Sequence, residues 1–311
     1  MGIALPSWLN NKKQASCNVG IEVTPDGIAI AHVEKKADGI PVLLACQFIE
    51  GEGDSLVEYT ADAVNELKLK GFTANLCLSY MDYSIQVGDA PNVPQEELNT
   101  ALSFQVKDLI EYPLDDAVVA GFAYPEDAQR AGAPKTFAAA ARKSTLLREV
   151  EMISKAGLQV LSVDVPELCI RNITRFVERG LGVAAVIFTP NRGSVTFIKN
   201  GWFYLSRRFD LNYGGGLLDD LPDEQLVLEL QRSSDFYERQ LRQPPPPIVL
   251  LVGEHITADK VSDDLKSHIQ GELDVFDLRQ WVDVQCDVPD HVLRQCTLAV
   301  GAALREEVAD G

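Results

Sequence analysis

The sequence predicts an α/β protein of two similar lobes, with a small α/β subdomain inserted in the first. Three observations predict it. The 311 residues are enough for two separate cores. Val23-Thr24-Pro25-Asp26-Gly27 leads into Ile28-Ala29-Ile30-Ala31, and about 165 residues later Phe188-Thr189-Pro190-Asn191-Arg192-Gly193 leads into Ser194-Val195-Thr196-Phe197. That period is too long for a solenoid and suits a duplicated domain. Around each turn the order strand, strand, strand, helix, strand recurs.

In the first unit, apolar runs at 19–23, 28–33 and 42–48 are separated by Asp26-Gly27 and Asp38-Gly39, the pattern of a meander of hairpins. Asp54 or Ser55 caps a helix carrying Val57, Ala61, Val64 and Leu67 on one face. Gly71 ends that helix, where a left-handed residue is favoured. Residues 75–80 follow as a strand. The next stretch breaks the pattern. Pro94 opens a helix through Leu98, Ala101, Leu102, Gln105 and Leu109, which closes before Pro113. Residues 117–124 and 136–141 read as strands. Ser144 caps a helix over 145–156 that Gly157 ends, and a strand at 160–165 leads to a helix at 167–177. The second unit resumes with strands at 183–188, 194–198 and 202–209, Asn200-Gly201 forming a hairpin turn. Pro222 starts a long helix at its favoured first position, with Leu226, Leu230, Ser233, Tyr237 and Leu241 along one face. The proline run 244–247 stops it. Residues 248–252 read as a strand buried on both faces, and 261–269 and 292–304 as helices. These readings divide the chain into a flexible tail (1–16), a first half (17–90 with 158–181, including a connecting helix), an insertion (91–157) and a second half (182–311).

The formal net charge of −18 argues against nucleic acid and against electrostatic docking on anionic lipid, and favours a basic partner segment. No stretch approaches the ~20 apolar residues of a membrane span. The first residues carry a short apolar cluster, Leu5, Trp8 and Leu9, but no signal-peptide run, so a cytoplasmic chain is expected. Six scattered cysteines without a Cys-x-x-Cys read as reduced thiols. The four histidines are too dispersed to suggest zinc, and no metal is expected.

Four segments carry a family resemblance. PQEELNTALSFQVKDLIEYPLDDAVVA (94–120), AARKSTLLREVEMISKAGLQVLSVDV (140–165), LVLELQRSSDFYERQ (226–240) and LAVGAALR (298–305) resemble, in order, segments of the PilM/MshI family of type IV pilus biogenesis proteins. That family belongs to the actin-like ATPase superfamily. The short link at 214–222 is most similar to the branch serving the mannose-sensitive haemagglutinin (MSHA) pilus. The resemblance implies an actin-like, duplicated ribonuclease H-like fold with an inserted subdomain.

It also implies where a nucleotide would bind. In nucleotide-binding members each hairpin turn carries Asp-x-Gly followed by Ser or Thr. The Asp holds Mg²⁺, and the Gly lets backbone N–H groups reach phosphate. Here Glu22 stands at the first carboxylate position, Thr24 replaces the Gly, Pro25 deletes an N–H, and Asp26 follows. At the second turn Ile187 takes the carboxylate position, followed by Thr189-Pro190, Asn191 and Gly193. The loop after the fourth strand reads Val252-Gly253-Glu254-His255, with Glu254 set to repel phosphate. Gly214-Gly215-Gly216 reads as a flexible turn, because no Gly-Lys-Ser/Thr follows. Asp219, Asp220, Asp223 and Glu224 favour a helix N-terminus, and Arg207-Arg208 reads as an exposed strand end. Glu22, Thr24, Asp26, Asn191, Gly193 and Gly253 therefore mark a vestigial nucleotide cleft, and no ATP or Mg²⁺ cofactor is expected. Losing several contacts worth about 1.5–3 kcal/mol each removes useful phosphate affinity.

The resemblance then implies a non-catalytic scaffold of a pilus assembly platform, peripheral to the inner membrane. It would hold the cytoplasmic tail of a PilN-like bitopic membrane protein and meet other platform proteins. The expected groove lies between the first half and the insertion, walled by Leu76, Leu78, Leu98, Leu102, Gln105 and Leu109. The alternative is an active actin-like ATP-binding protein or ATPase.

Overall fold

The computed structural model describes residues 18–36, 39–53, 55–130, 132–177, 180–216 and 218–306. The expected tail (1–16), the Asp38 turn position and the Asp54 cap lie outside the described residues. Strands β1 (Val19–Thr24), β2 (Gly27–Glu34) and β3 (Val42–Glu50), helix α1 (Ser55–Glu66) and β4 (Thr73–Cys77) open the first lobe. In the second, β9 (Val183–Thr189), β10 (Arg192–Lys199), β11 (Trp202–Asp210), α5 (Asp223–Leu241) and β12 (Ile248–Val252) repeat that order.

The sheets repeat it too. With β8 (Gln159–Asp164) and β14 (Asp283–Val284), the first runs β14-β3-β2-β1-β4-β8. With β13 (Glu272–Val275), the second runs β11-β10-β9-β12-β13. In each lobe the first strand pairs antiparallel with the second and parallel with the fourth. The register places Glu22 beside Cys77 and Ile187 beside Val252, so the two turns are equivalent positions of one duplicated fold. The second-lobe strand β12 is buried through Val249 to Val252, which accounts for its unbroken apolar run.

A third sheet runs β5-β7-β6, from β5 (Tyr83–Asp89), β7 (Lys135–Arg142) and β6 (Ala117–Ala123), and carries α2 (Leu98–Val106). Gly121 admits the contact: a Cβ there would lie 2.5 Å from Leu102 Cδ1. The small sheet begins at Tyr83, ahead of the division drawn at residue 91. The residues read as one helix over 94–109 form α2 flanked by 3₁₀ turns at Gln95–Glu97 and Lys107–Leu109.

Several elements differ from the sequence reading. β4 ends at Cys77, where its parallel neighbour β8 also ends at Asp164, the carbonyl of which accepts the last ladder bond from the Leu78 N–H. β5, β13 and β14 escaped notice because they are half-exposed or very short edge strands with weak apolar alternation. Ser144 does not cap α3 (Lys143–Lys155). Asp116 does, accepting from the Ser144 N–H and hydroxyl, both at 2.9 Å. Pro222 lies at the N-cap of α5, one residue before its first turn. The helix read over 261–269 shortens to α6 (Asp263–His268). The stretch read as one helix over 292–304 is two, α7 (Asp290–Gln295) and α8 (Thr297–Ala303), meeting at Cys296.

Although α8 comes last, it packs on the first lobe, against β1 and α4 (Pro166–Thr174). Glycines permit this. A Cβ on Gly20 would lie 1.9 Å from the Ala299 carbonyl oxygen, and one on Gly301 would lie 2.3 Å from that of Cys169. Asn75 and Asn172 donate to the carbonyls of Ala302 and Gly301, pinning the same helix. Together α4 and α8 form the apolar layer between the lobes, holding Ala31, Ile170, Val183, Leu250 and Val300 in one cluster. The five described cysteines are free thiols, four of them buried.

Candidate functional site

The turns after β1 and β9 face each other across an open interlobe cleft of about 960 Å³. Glu22, Thr24, Asp26, Gly193 and Gly253 line it. Asn191 does not, because its backbone is taken up in the second turn. It sits at φ +61°, its N–H donates to the Tyr213 carbonyl at 2.6 Å, and its carbonyl accepts from Leu211 at 3.0 Å.

Both threonine hydroxyls are engaged within their own turns. Thr24 Oγ1 donates to the Gly27 carbonyl at 3.1 Å, and Thr189 Oγ1 to that of Arg192 at 3.5 Å. Two glycines of the site serve packing. A Cβ on Gly193 would come within 2.5 Å of the Phe209 ring, and one on Gly253 within 2.8 Å of Ile256 Cγ1. The triple-glycine segment closes on an internal carboxylate. The Gly216 N–H donates to Asp219 Oδ2 at 2.8 Å, and Lys260 Nζ donates to the Gly216 and Asp219 carbonyls at 3.0 and 2.8 Å. The expected Leu217 connection lies outside the described residues.

Glu22 sits on the cleft floor, half-buried, with solvent reaching it only from the cleft. It has no hydrogen-bond partner among the described residues, and burial pushes its carboxyl up to about 8. Near it lie the thiols of Cys77, Cys169 and Cys296, whose own titration its charge disfavours. The equivalent Ile187 offers no donor atom at all.

Arg208 is the functional residue that sequence reading missed. It is exposed near the end of β11, as expected, and from there it also reaches across the cleft. Its Nη1 donates to the Tyr80 carbonyl at 2.8 Å and to the Tyr83 carbonyl at 3.2 Å, and the guanidinium lies 4.3 Å over the Tyr83 ring. Its Nη2 lies 3.6 Å from Glu167 Oε1, which is buried on α4 and also accepts from Ser206 Oγ at 3.2 Å. The Tyr83 hydroxyl donates to the other Glu167 oxygen. Alternation along β11 sets Arg208 on the face opposite Leu205 and Phe209, and no local signal shows what it meets. Arg192 approaches the same first-lobe loop, its Nη1 lying 3.3 Å from Met81 Sδ.

The expected groove residues separate. Leu76 and Leu78 are fully buried in the first-lobe core and Leu102 under the small sheet, so none of them walls a groove. Leu98 is half-buried against that same small core. Gln105 and Leu109 are exposed, and Gln105 Nε2 donates to the Asp89 carbonyl at 3.1 Å. Phe104 on α2 and the nearby Leu109 are exposed apolar side chains, and Val87 on β5 is exposed on the opposite face of the small sheet, beside its register partner Phe137. Phe104 is 66% exposed, unusual for a phenylalanine.

The chain matches no protein-family model and no curated protein. Solved structures do resemble it. A PilM–PilN type IV pilus biogenesis complex matches with a TM-score of 0.70 at 17% identity, over 94% of this chain and 98% of that one. The cytoplasmic domain of EpsL, an inner membrane component of the type II secretion system of Vibrio cholerae, matches at 0.52 and 12% identity, over 93% and 95%. A Bacteroides thetaiotaomicron protein of unknown function with an actin-like ATPase fold matches at 0.51 and 11% identity, over 90% and 97%. At these identities the likeness is one of fold, and the chain has the actin-like fold. No helix among the described residues is long and apolar enough to cross a membrane.

Proposed function

We propose that this chain is a non-catalytic scaffold of a type IV pilus assembly platform of the MSHA kind. It would work in the cytoplasm, peripheral to the inner membrane. Its partner is the basic cytoplasmic tail of a PilN-like bitopic membrane protein. The observation that carries the reading is the open edge strand β5 of the small sheet, with Phe104 and Leu109 exposed on the helical segment that covers that sheet, on a chain of net charge −18. An open edge strand accepts an extended segment, exposed apolar side chains nearby in the subdomain add contact area, and the charge draws in a basic segment. The likeness to the solved PilM–PilN complex supports a partner of this class.

A labelled synthetic tail titrated against the full chain tests it. Phe104→Asp is expected to weaken binding at least tenfold while leaving the thermal midpoint nearly unchanged, because the side chain is already in water. Absence of binding to the unaltered chain rejects this docking role.

The open cleft favours a second reading, an ATP-binding protein. Against it stand the self-bonded threonines, the two prolines and Ile187. Calorimetric titration with Mg-ATP is expected to give no micromolar binding. Mg-dependent hydrolysis lost on Glu22→Ala establishes the enzyme instead.

A further inference from the structure

We propose that the interlobe cleft is a binding site for an alkyl polyamine, with Glu22 as its deep anchor. The proposal goes beyond the docking role and does not depend on it.

Three observations meet here. The cleft is open, and on its floor stands an acidic side chain with no partner among the described residues. The rim continues the same sign on both lobes, with Asp26, Glu50 and Glu52 on one side and Asp210 and Glu254 on the other. The opposing cations are engaged. Arg208 holds Glu167 and two carbonyls, Arg192 lies 3.8 Å from Asp210, and Arg294 Nε donates to the Glu254 carbonyl. Between floor and rim the walls are aromatic, from Phe48, Tyr80, Phe209 and Tyr213. Methylene chains pack on such rings, and because Tyr80 and Tyr213 already carry Arg192, Arg208 and Lys260 over their rings, the ligand's ammonium groups look to the carboxylates instead.

An anion of several charges meets carboxylates at the floor and at both rims. A di- or triammonium chain meets one carboxyl at the floor and one or more at the mouth, with its stem against the rings. The thiols of Cys77, Cys169 and Cys296 lie near Glu22, the phenols of Tyr80, Tyr83 and Tyr213 face the cleft, and so does His255, whose Nε2 lies 3.3 Å from Glu254 Oε1. Because burial holds the Glu22 proton up to about 8, an ammonium arriving at pH 7 displaces it.

The test is calorimetric titration of the full chain with spermidine at pH 7 and physiological salt, in two buffers of different ionisation enthalpy. One site is expected, with release of about one proton per ligand. Glu22→Gln is expected to weaken binding at least tenfold and abolish the proton release. Diffuse attraction to a chain of net −18 survives that substitution, since Glu22 is largely uncharged at pH 7. Should Glu22→Gln fail to fold, Glu50→Gln and Glu254→Gln are expected to weaken binding severalfold each. The proposal is overturned by absent or multi-site binding, by release of no proton, by equal binding to the rim variants, or by tighter binding of Mg-ATP than of spermidine. A lost pilus tail interaction leaves all of these readings unmoved.

Discussion

Glu149, on α3, is 4% exposed, and one of its carboxyl oxygens has no hydrogen-bond partner. Burial first, and then the nearby Asp82, push its pKa up to about 8 against the opposing pull of Arg148. The folded chain therefore keeps a proton that the unfolded chain gives up near 4.5. The stability this confers is complete below about pH 4.5 and is lost as pH rises to about 8. Glu22 acts in the same direction over the same window. Glu149→Gln is accordingly expected to raise stability at pH 8 by about 1–3 kcal/mol and to change it little at pH 5, read from urea midpoints at both pH values. A variant equally destabilised at both pH values means that Glu149 is ionised and paired in the fold.

At the scale of elements, two devices join pieces distant in sequence. Asp116 caps α3 from 28 residues upstream. Asp116→Ala is expected to cost about 0.5–2 kcal/mol, and Ser144→Ala less, because Asp116 still accepts from the Ser144 N–H. Equal costs in chemical denaturation restore Ser144 as the principal capping residue. The second device is the backbone contact of α8 with β1 and α4. Gly301→Ala drives a methyl into the Cys169 carbonyl, so α8 must lift from the interlobe layer. A loss of about 1–3 kcal/mol is expected, measured as a lower urea midpoint. An unchanged midpoint means that the layer yields without cost.

Across the whole molecule, contacts among the described residues join the lobes in three regions. The layer of α4 and α8 lies between the sheets. Arg208 ties β11 to Glu167 and to the loop at Tyr80–Tyr83. The inserted subdomain touches the second lobe through Phe203, which packs 4.7 Å from the Phe137 ring, and through Tyr204, whose hydroxyl donates to Asp127 at 2.7 Å. Of these ties, the one through Arg208 lies on the cleft wall. Arg208→Ala is expected to cost about 1–3 kcal/mol, since it leaves Glu167 buried without its cation. It should also speed hydrogen exchange at residues 79–84 without speeding it in β9. Exchange that rises uniformly assigns the loss to global stability alone.

The two-lobed plan was legible because its evidence is local and repeated. Hairpin turns, capped helices and apolar runs declare themselves over a few residues, and the Thr-Pro turns occur twice. The same local signals placed the insertion's helix and two of its strands. The loss of a carboxylate at Ile187 and of two N–H donors at Pro25 and Pro190 is likewise written in residue identity alone. Depth and company are not. Leu76, Leu78 and Leu102 carry the same side chain as Leu109, yet only Leu109 reaches solvent, because burial depends on which element covers a strand. Arg208 reads as a surface charge until the second lobe brings it to Glu167 and Tyr83, 41 and 125 residues away. Glu22 reads as a weak metal ligand until the cleft surrounds it, and then it is an isolated acid. Sequence by itself determined the duplicated fold, because backbone geometry and turn chemistry act over neighbouring residues. Only the tertiary structure decided what the cleft can hold, because desolvation and charge pairing are properties of groups that meet across the chain.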